Sequence, residues 1–187
     1  MMLLRALAGL ALLSALPALG QNSLEVARYD AIGNLVYPED LHAWIQTGAS
    51  VGSDYNEEPI DVENPGTIGV VQMEPTAYSY FQQHKQYADG TMFLLTFYEP
   101  RRKTSPQLQG FVQGRMVQQE IHVIDKQRYP ETDGHAFFVY RGEGEQRTTA
   151  ALVAPDNACV ACHIPEGAFD GTFVQFYPTL RSTLGLE

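Results

Sequence analysis

The chain has 187 residues, with 12 Lys or Arg against 22 Asp or Glu and a formal net charge of −10. That sign argues against nucleic acid and anionic membrane surfaces as partners, since both would repel it. Two cysteines cannot build a disulfide framework, and 16 Gly with 11 Pro break up any long helical bundle.

Residues 1–20 read as a secretory signal peptide. Arg5 supplies the positive n-region, Ala6 to Leu13 a short apolar run, and Ala18-Leu19-Gly20 a small-x-small cleavage site. The run is too short to span a bilayer comfortably, and Pro17 breaks its continuation. No later stretch approaches eighteen apolar residues. The expectation is a mature chain beginning at Gln21, in the periplasm, with no membrane insertion. Cleavage would remove Arg5 and no acid, leaving 11 basic residues against 22 acidic ones. Residues 21–187 are enough for a single domain with its own core.

Glu25 to Val36 is a mixed segment with a turn signal at Gly33-Asn34. Tyr37-Pro38-Glu39-Asp40 then predicts a short helix, with Leu41, Trp44 and Ile45 at helical spacing and Gly48 as its end. Residues 49–67 lack periodicity and read as a long loop. Gly69 to Met73 is a strand candidate. Glu74-Pro75 opens a second helix running to about Lys85, with Ala77, Tyr78 and Phe81 on one face. Asp89-Gly90 is a turn, and Thr91 to Tyr98 a strongly apolar strand; Pro100 to Pro106 reads as a polar loop. Gly110 to Asp125 is the longest strand signal, where Phe111, Val117, Ile121 and Val123 alternate with polar neighbours. His135 to Arg141 is another strand, and Gly142 to Arg147 a turn. Together these predict one α+β domain: a mainly antiparallel β-sheet of four or five strands with a few short helices.

Cys159-Val160-Ala161-Cys162-His163 then implies a c-type haem packed against the sheet. C-x-x-C-H is the attachment signature of covalent haem. Two thiols at this spacing can each bond one vinyl group of the same macrocycle, and the adjoining histidine lies under the iron as proximal ligand. A redox disulfide would want a βαβ pattern around an early motif, and this motif lies near the C-terminus. Half a zinc site would want a second cysteine pair, and the chain has none. The preceding Ala154-Pro155-Asp156-Asn157 predicts a helix capped near Asp156 or Asn157. Phe173 to Leu184 closes the chain as an aromatic segment. The cofactor implied is one haem c, held through Cys159 and Cys162, with His163 as the iron ligand.

Placement excludes some cytochromes. No methionine follows His163, so a late methionine ligand, as in small electron-transfer cytochromes, is impossible. The strand runs speak against a helical-bundle cytochrome. The chain instead resembles the cytochrome P-460 family, which includes cytochrome c′-beta. The resemblance spans most of the mature chain: Leu41-x-x-Trp44, Glu74-Pro75-x-Ala77-Tyr78, Asp89-Gly90-Thr91, Glu120-x-x-Val123-x-Asp125, the haem motif, and Phe173 through Arg181, the most specific block. It implies a homodimer with a mainly antiparallel fold and a haem that is five-coordinate through the proximal histidine.

In the family members that oxidise hydroxylamine, a lysine on the strand after Asp-Gly-Thr bonds to a haem meso carbon. The matching position here is Leu95, and no lysine lies between Lys85 and Lys103. The resemblance therefore implies the cytochrome c′-beta branch, whose members bind nitric oxide and carbon monoxide. If Leu95 faces the haem, strand alternation puts Phe93 and Phe97 on the same face and makes an apolar cap. Such a cap gives no hydrogen bond to dioxygen, which nitric oxide and carbon monoxide need little. Ordinary core packing is the competing reading of that triplet.

Three functions stay open: a gas binder with a small gaseous or nitrogen-oxide ligand, an oxidoreductase acting on hydroxylamine or nitric oxide, and an electron-transfer cytochrome working with a redox partner protein. The oxidoreductase needs a proton acceptor, for which Glu120 or an acid of the 49–67 loop is eligible. The electron-transfer reading needs a sixth ligand from His42, His84, His122, His135, Met73, Met92 or Met116. Arg115 and Arg181 are candidates to pair with haem propionates, and Tyr177 and Phe176 to pack near the haem edge. Spacing assigns no role to Glu120 or Asp125 within the family block.

Overall fold

The computed structural model describes residues 23–52, 60–104, 109–141 and 148–186. The expected signal peptide, part of the expected 49–67 loop, part of the expected 100–106 loop and the expected turn at 142–147 lie outside the described residues. Among the described residues no helix is long and apolar enough to cross a membrane.

The fold is α+β and its sheets are antiparallel. A two-stranded sheet pairs β1 (Leu35–Val36) with β7 (Thr149–Ala150). The main sheet takes β2 (Ile45–Val51), β3 (Ile68–Met73), β4 (Thr91–Arg102), β5 (Phe111–Ile124) and β6 (His135–Arg141) in chain order, each strand antiparallel to the next. Three short helices complete it: α1 (Pro75–His84), α2 (Ala158–Glu166) and α3 (Pro178–Leu184).

Period-two alternation divides the side chains of β4 and β5 between two cores. Met92, Leu94, Ile121 and Val123 pack on one face with Leu35, Trp44 and Phe138. Phe93 points to the other face, with Val71, Met73, Ala77, Phe81, Val174 and Leu180, and half-buried Leu95 packs against that group. The second face carries α1 and α3. Pro75 occupies the first turn of α1, where a missing N–H costs nothing, and the Glu74 carboxylate accepts from Ala77 N–H at 2.7 Å.

Three sequence expectations are corrected. The helix expected from Tyr37 onward is only a 3₁₀ turn at Leu41–Ala43, and Ile45–Val51 is strand β2. Ile45 and Gln46 gain ladder partners on β3, buried Thr47 donates through Oγ1 to the Val71 carbonyl at 3.2 Å, and that pairing outweighs a helical signal of two turns at most. Gly48 does not end a helix. It sits at a β2 register shift, where a Cβ would stand 2.8 Å from the Tyr177 ring, so its small size admits the C-terminal segment. The third correction is at Pro100, which lies inside β4 rather than opening a loop. The β3 ladder stops at Tyr98, so Pro100 is paired on one side only, across from Gln113 and beside a register shift.

Candidate haem site

The site is built on α2. Asn157 caps it, its Oδ1 accepting from Cys159 N–H at 2.6 Å and Val160 N–H at 3.4 Å. On a helix, positions i, i+3 and i+4 share a face, so Cys159, Cys162 and His163 project together. All three line one cavity of about 360 Å3, within the range of pockets that hold cofactors. Facing them from the sheet are Phe93, Leu95 and Phe97 of β4, Glu120 and His122 of β5, and Phe137 of β6. The C-terminal segment closes the side with Thr172, Phe173 and Tyr177.

His163 is oriented from both sides. Its Nδ1 lies 2.9 Å from the carbonyl oxygen of Gly171, so Nδ1–H donates and Nε2 keeps its lone pair for a metal. Its ring packs against Phe173, Phe137 and His122 at centroid distances of 4.6, 4.8 and 5.1 Å. Burial lowers its pKa, against the Gly171 hydrogen bond, and keeps the imidazole neutral as a ligand must be. Burial also raises the Cys159 pKa, and the nearby Glu120 carboxylate adds to the effect. Both thiols are free, with Cys159 half-buried and Cys162 exposed.

This donor set fits haem c. Two thiols and one pre-oriented imidazole share a face, opposite an aromatic and aliphatic wall. Cys159 and Cys162 would hold the macrocycle, and His163 Nε2 would ligate the iron.

The polar members of the wall come from the even positions of β5. Glu120 and His122 line the cavity, whereas Ile121 and Val123 point into the opposite core. The wall is therefore not the purely apolar cap expected: Phe93, Leu95 and Phe97 share it with a carboxylate and an imidazole. Gln118 Nε2 donates to Glu120 Oε1, and Leu95 is Glu120's cross-strand neighbour.

Among the described residues, no lysine or methionine lines the cavity, nor do His42 and His84. Met92 belongs to the opposite core. The rings of His122 and His163 are in edge contact, so these two cannot hold opposite faces of one haem in this arrangement. Arg115 pairs with Glu99, and Arg181 donates to the Gln175 carbonyl at 3.1 Å. Phe176 is 68 % exposed and lies beside Phe173, outside the cavity lining. Asp125 shapes the turn after β5, its Oδ1 accepting from the N–H groups of Gln127 and Arg128 at 3.1 and 2.9 Å.

Three histidines of this region carry pKa values held below the ordinary 6.5, each through burial first: His122, His135 and His163. Their neutral forms are favoured in the fold, so the unfolded chain binds more protons as pH drops below about 6.5. Stability is full above that pH and falls on acidification. The denaturant midpoint at pH 5.5 is therefore expected to lie below that at pH 7.5, and equal midpoints would contradict the burial argument.

No curated relative matches the chain. The cytochrome P460 family matches residues 38–174, a span running from the segment before β2 through the haem motif to the Phe173 wall of the cavity. With the match covering well over half of the sequence and enclosing the whole cysteine–histidine site, the chain belongs to the cytochrome P460 family and is a haem c protein.

Proposed function

We propose that the chain carries one haem, bonded through Cys159 and Cys162 and ligated by His163, and binds nitric oxide or carbon monoxide as a scavenger, carrier or sensor. Haem held there supplies an iron with one open coordination position. The observation that carries the reading is Leu95, an aliphatic side chain that lines the cavity between Phe93 and Phe97. It stands at the position where the cross-linking relatives place their lysine, and no lysine lines the cavity among the described residues. This favours an unmodified macrocycle and the cytochrome c′-beta branch. Phe93, Leu95 and Phe97 make that part of the wall apolar, and a small diatomic ligand needs few polar contacts. Export to the periplasm and assembly as a homodimer belong to the same proposal.

The test is the optical spectrum of the ferrous, haem-loaded protein before and after carbon monoxide. A high-spin ferrous spectrum that shifts on adding the gas is expected. A strongly red-shifted Soret band in the starting spectrum would show a cross-link despite Leu95, and no response to carbon monoxide would rule out the open position.

One observation favours a second reading, oxidation of hydroxylamine or nitric oxide. Glu120 lines the cavity, and oxidation of an N–H or O–H substrate needs a proton acceptor within reach. Turnover of hydroxylamine with an added electron acceptor separates the two readings.

A further inference from the structure

We infer that Asp133, His135 and Asp170 form a binding site for a divalent transition-metal ion of the zinc class, distinct from the haem iron. The ligand atoms of these three residues all lie within 4.8 Å of one another. They come from two places in the chain. Asp133 follows the 3₁₀ turn Pro130–Thr132, His135 starts β6, and Asp170 lies in the turn that leads to Thr172.

The histidine makes this more than a group of surface acids. His135 is 2 % exposed. Its Nδ1 lies 2.9 Å from His122 Nε2, and its Nε2 points at Asp170 Oδ1 across 4.0 Å, too far for a hydrogen bond. No other hydrogen-bond partner reaches Nε2 among the described residues. Nε2 is therefore the ring atom left facing the Asp170 carboxylate, in a cluster with two carboxylates that has the surroundings of a metal donor. Gly171 packs on the ring so closely that a Cβ there would stand 2.5 Å from His135 Cε1, which fixes the direction of Nε2.

The donor chemistry selects the ion. One imidazole nitrogen and two carboxylates suit zinc and its neighbours better than calcium, which takes oxygen alone. Tetrahedral zinc with donors at roughly 2.0–2.2 Å holds them about 3.4 Å apart, so the half-exposed Asp170 carboxylate, now 4.0 Å from Nε2, has to close by about half an ångström on binding. Water would complete the coordination. Lys126 competes, since its Nζ lies 3.1 Å from Asp170 Oδ1. Its side chain is 46 % exposed and can swing into solvent, so the ion has to displace one surface ion pair.

The second nitrogen of His135 links this site to the haem cavity. With an ion on Nε2, the ring proton sits on Nδ1 and is donated to His122 Nε2. His122 lines the cavity and touches His163. One hydrogen bond therefore separates the two metal centres' supporting residues.

The test uses the full haem-loaded chain, stripped with a chelator and dialysed against Zn2+, with zinc and iron counted by elemental analysis. One zinc per chain beyond the haem iron is expected, in the micromolar range or tighter. The two carboxylates are exposed or half-exposed, so D133N/D170N should fold and keep its haem spectrum while losing at least about 100-fold in zinc affinity. K126M should bind zinc more tightly than the wild type. Absence of stoichiometric zinc in the wild type, or equal affinity in D133N/D170N, overturns the proposal.

Discussion

Replacing both cysteines with serine, C159S/C162S, is expected to abolish haem retention through denaturing electrophoresis, whereas the wild-type chain keeps its haem stain. The two thiols lie one helical turn apart on α2 and line the same cavity, so each is placed to bond one vinyl group of a single macrocycle. Without thioethers the haem would be held by His163 and by packing alone, and would leave as the chain unfolds. Each single variant, C159S or C162S, should retain one thioether and one free vinyl group. Both should keep their stain and give a pyridine haemochrome band shifted to the red of the wild type. The cysteines differ in environment: Cys159 is half-buried with its thiolate disfavoured by burial and by Glu120, whereas Cys162 is exposed. Before haem attachment, oxidation should therefore begin at Cys162, the more accessible thiol. Haem stain surviving in C159S/C162S would place the attachment elsewhere and remove the reading of the motif.

Local chemistry was legible in the sequence where it acts over a few residues. The Glu74-Pro75 start of α1, the apolar run of β4 and the Asn157 cap before the cysteines all read correctly from neighbours within one turn. Errors arose where a distant segment decides. Leu41, Trp44 and Ile45 carry a helical spacing ended by Gly48, and only the presence of β3 alongside makes Ile45–Val51 a strand. The polar positions of β5 were harder still. Gln118, Glu120 and His122 alternate with Val117, Ile121 and Val123, a pattern that reads as a strand with one solvated face. Here that face looks into the cavity under α2, and His122 is buried. A histidine flanked by two residues of a core-facing row carried one usable signal: its own row had to contain whatever Leu95 and Phe93 contained, once β4 and β5 were paired. The grouping of His135 with Asp133 and Asp170 had no such signal, because Asp170 is brought there by a turn 35 residues later in the chain.

Gly171→Ala is expected to destabilise the protein by about 3 kcal/mol or more, a large share of the stability of a domain of this size. Two costs combine. Gly171 has φ +63, a left-handed conformation that costs a non-glycine residue roughly 1–2 kcal/mol. The added methyl would also stand 2.5, 2.7 and 3.0 Å from three atoms of the buried His135 ring. That ring is held by His122 on its other side and cannot retreat freely, so overpacking adds about 1–3 kcal/mol. Gly185 gives the control. Its φ of +69 is nearly the same, but a methyl there meets nothing within 4 Å. Gly185→Ala should therefore show the backbone cost alone, about 1–2 kcal/mol. The difference between the two variants in denaturant midpoint measures the clash with His135. A second readout comes from the Gly171 carbonyl, which holds His163 Nδ1 at 2.9 Å. Moving that carbonyl loosens the orientation of the proximal imidazole, so the ferrous spectrum and the carbon monoxide dissociation rate should change in G171A and stay as in the wild type in G185A. Equal losses of stability in the two variants would mean that His135 yields to the methyl. An unchanged ferrous spectrum in folded G171A would mean that the Gly171 carbonyl does not position His163.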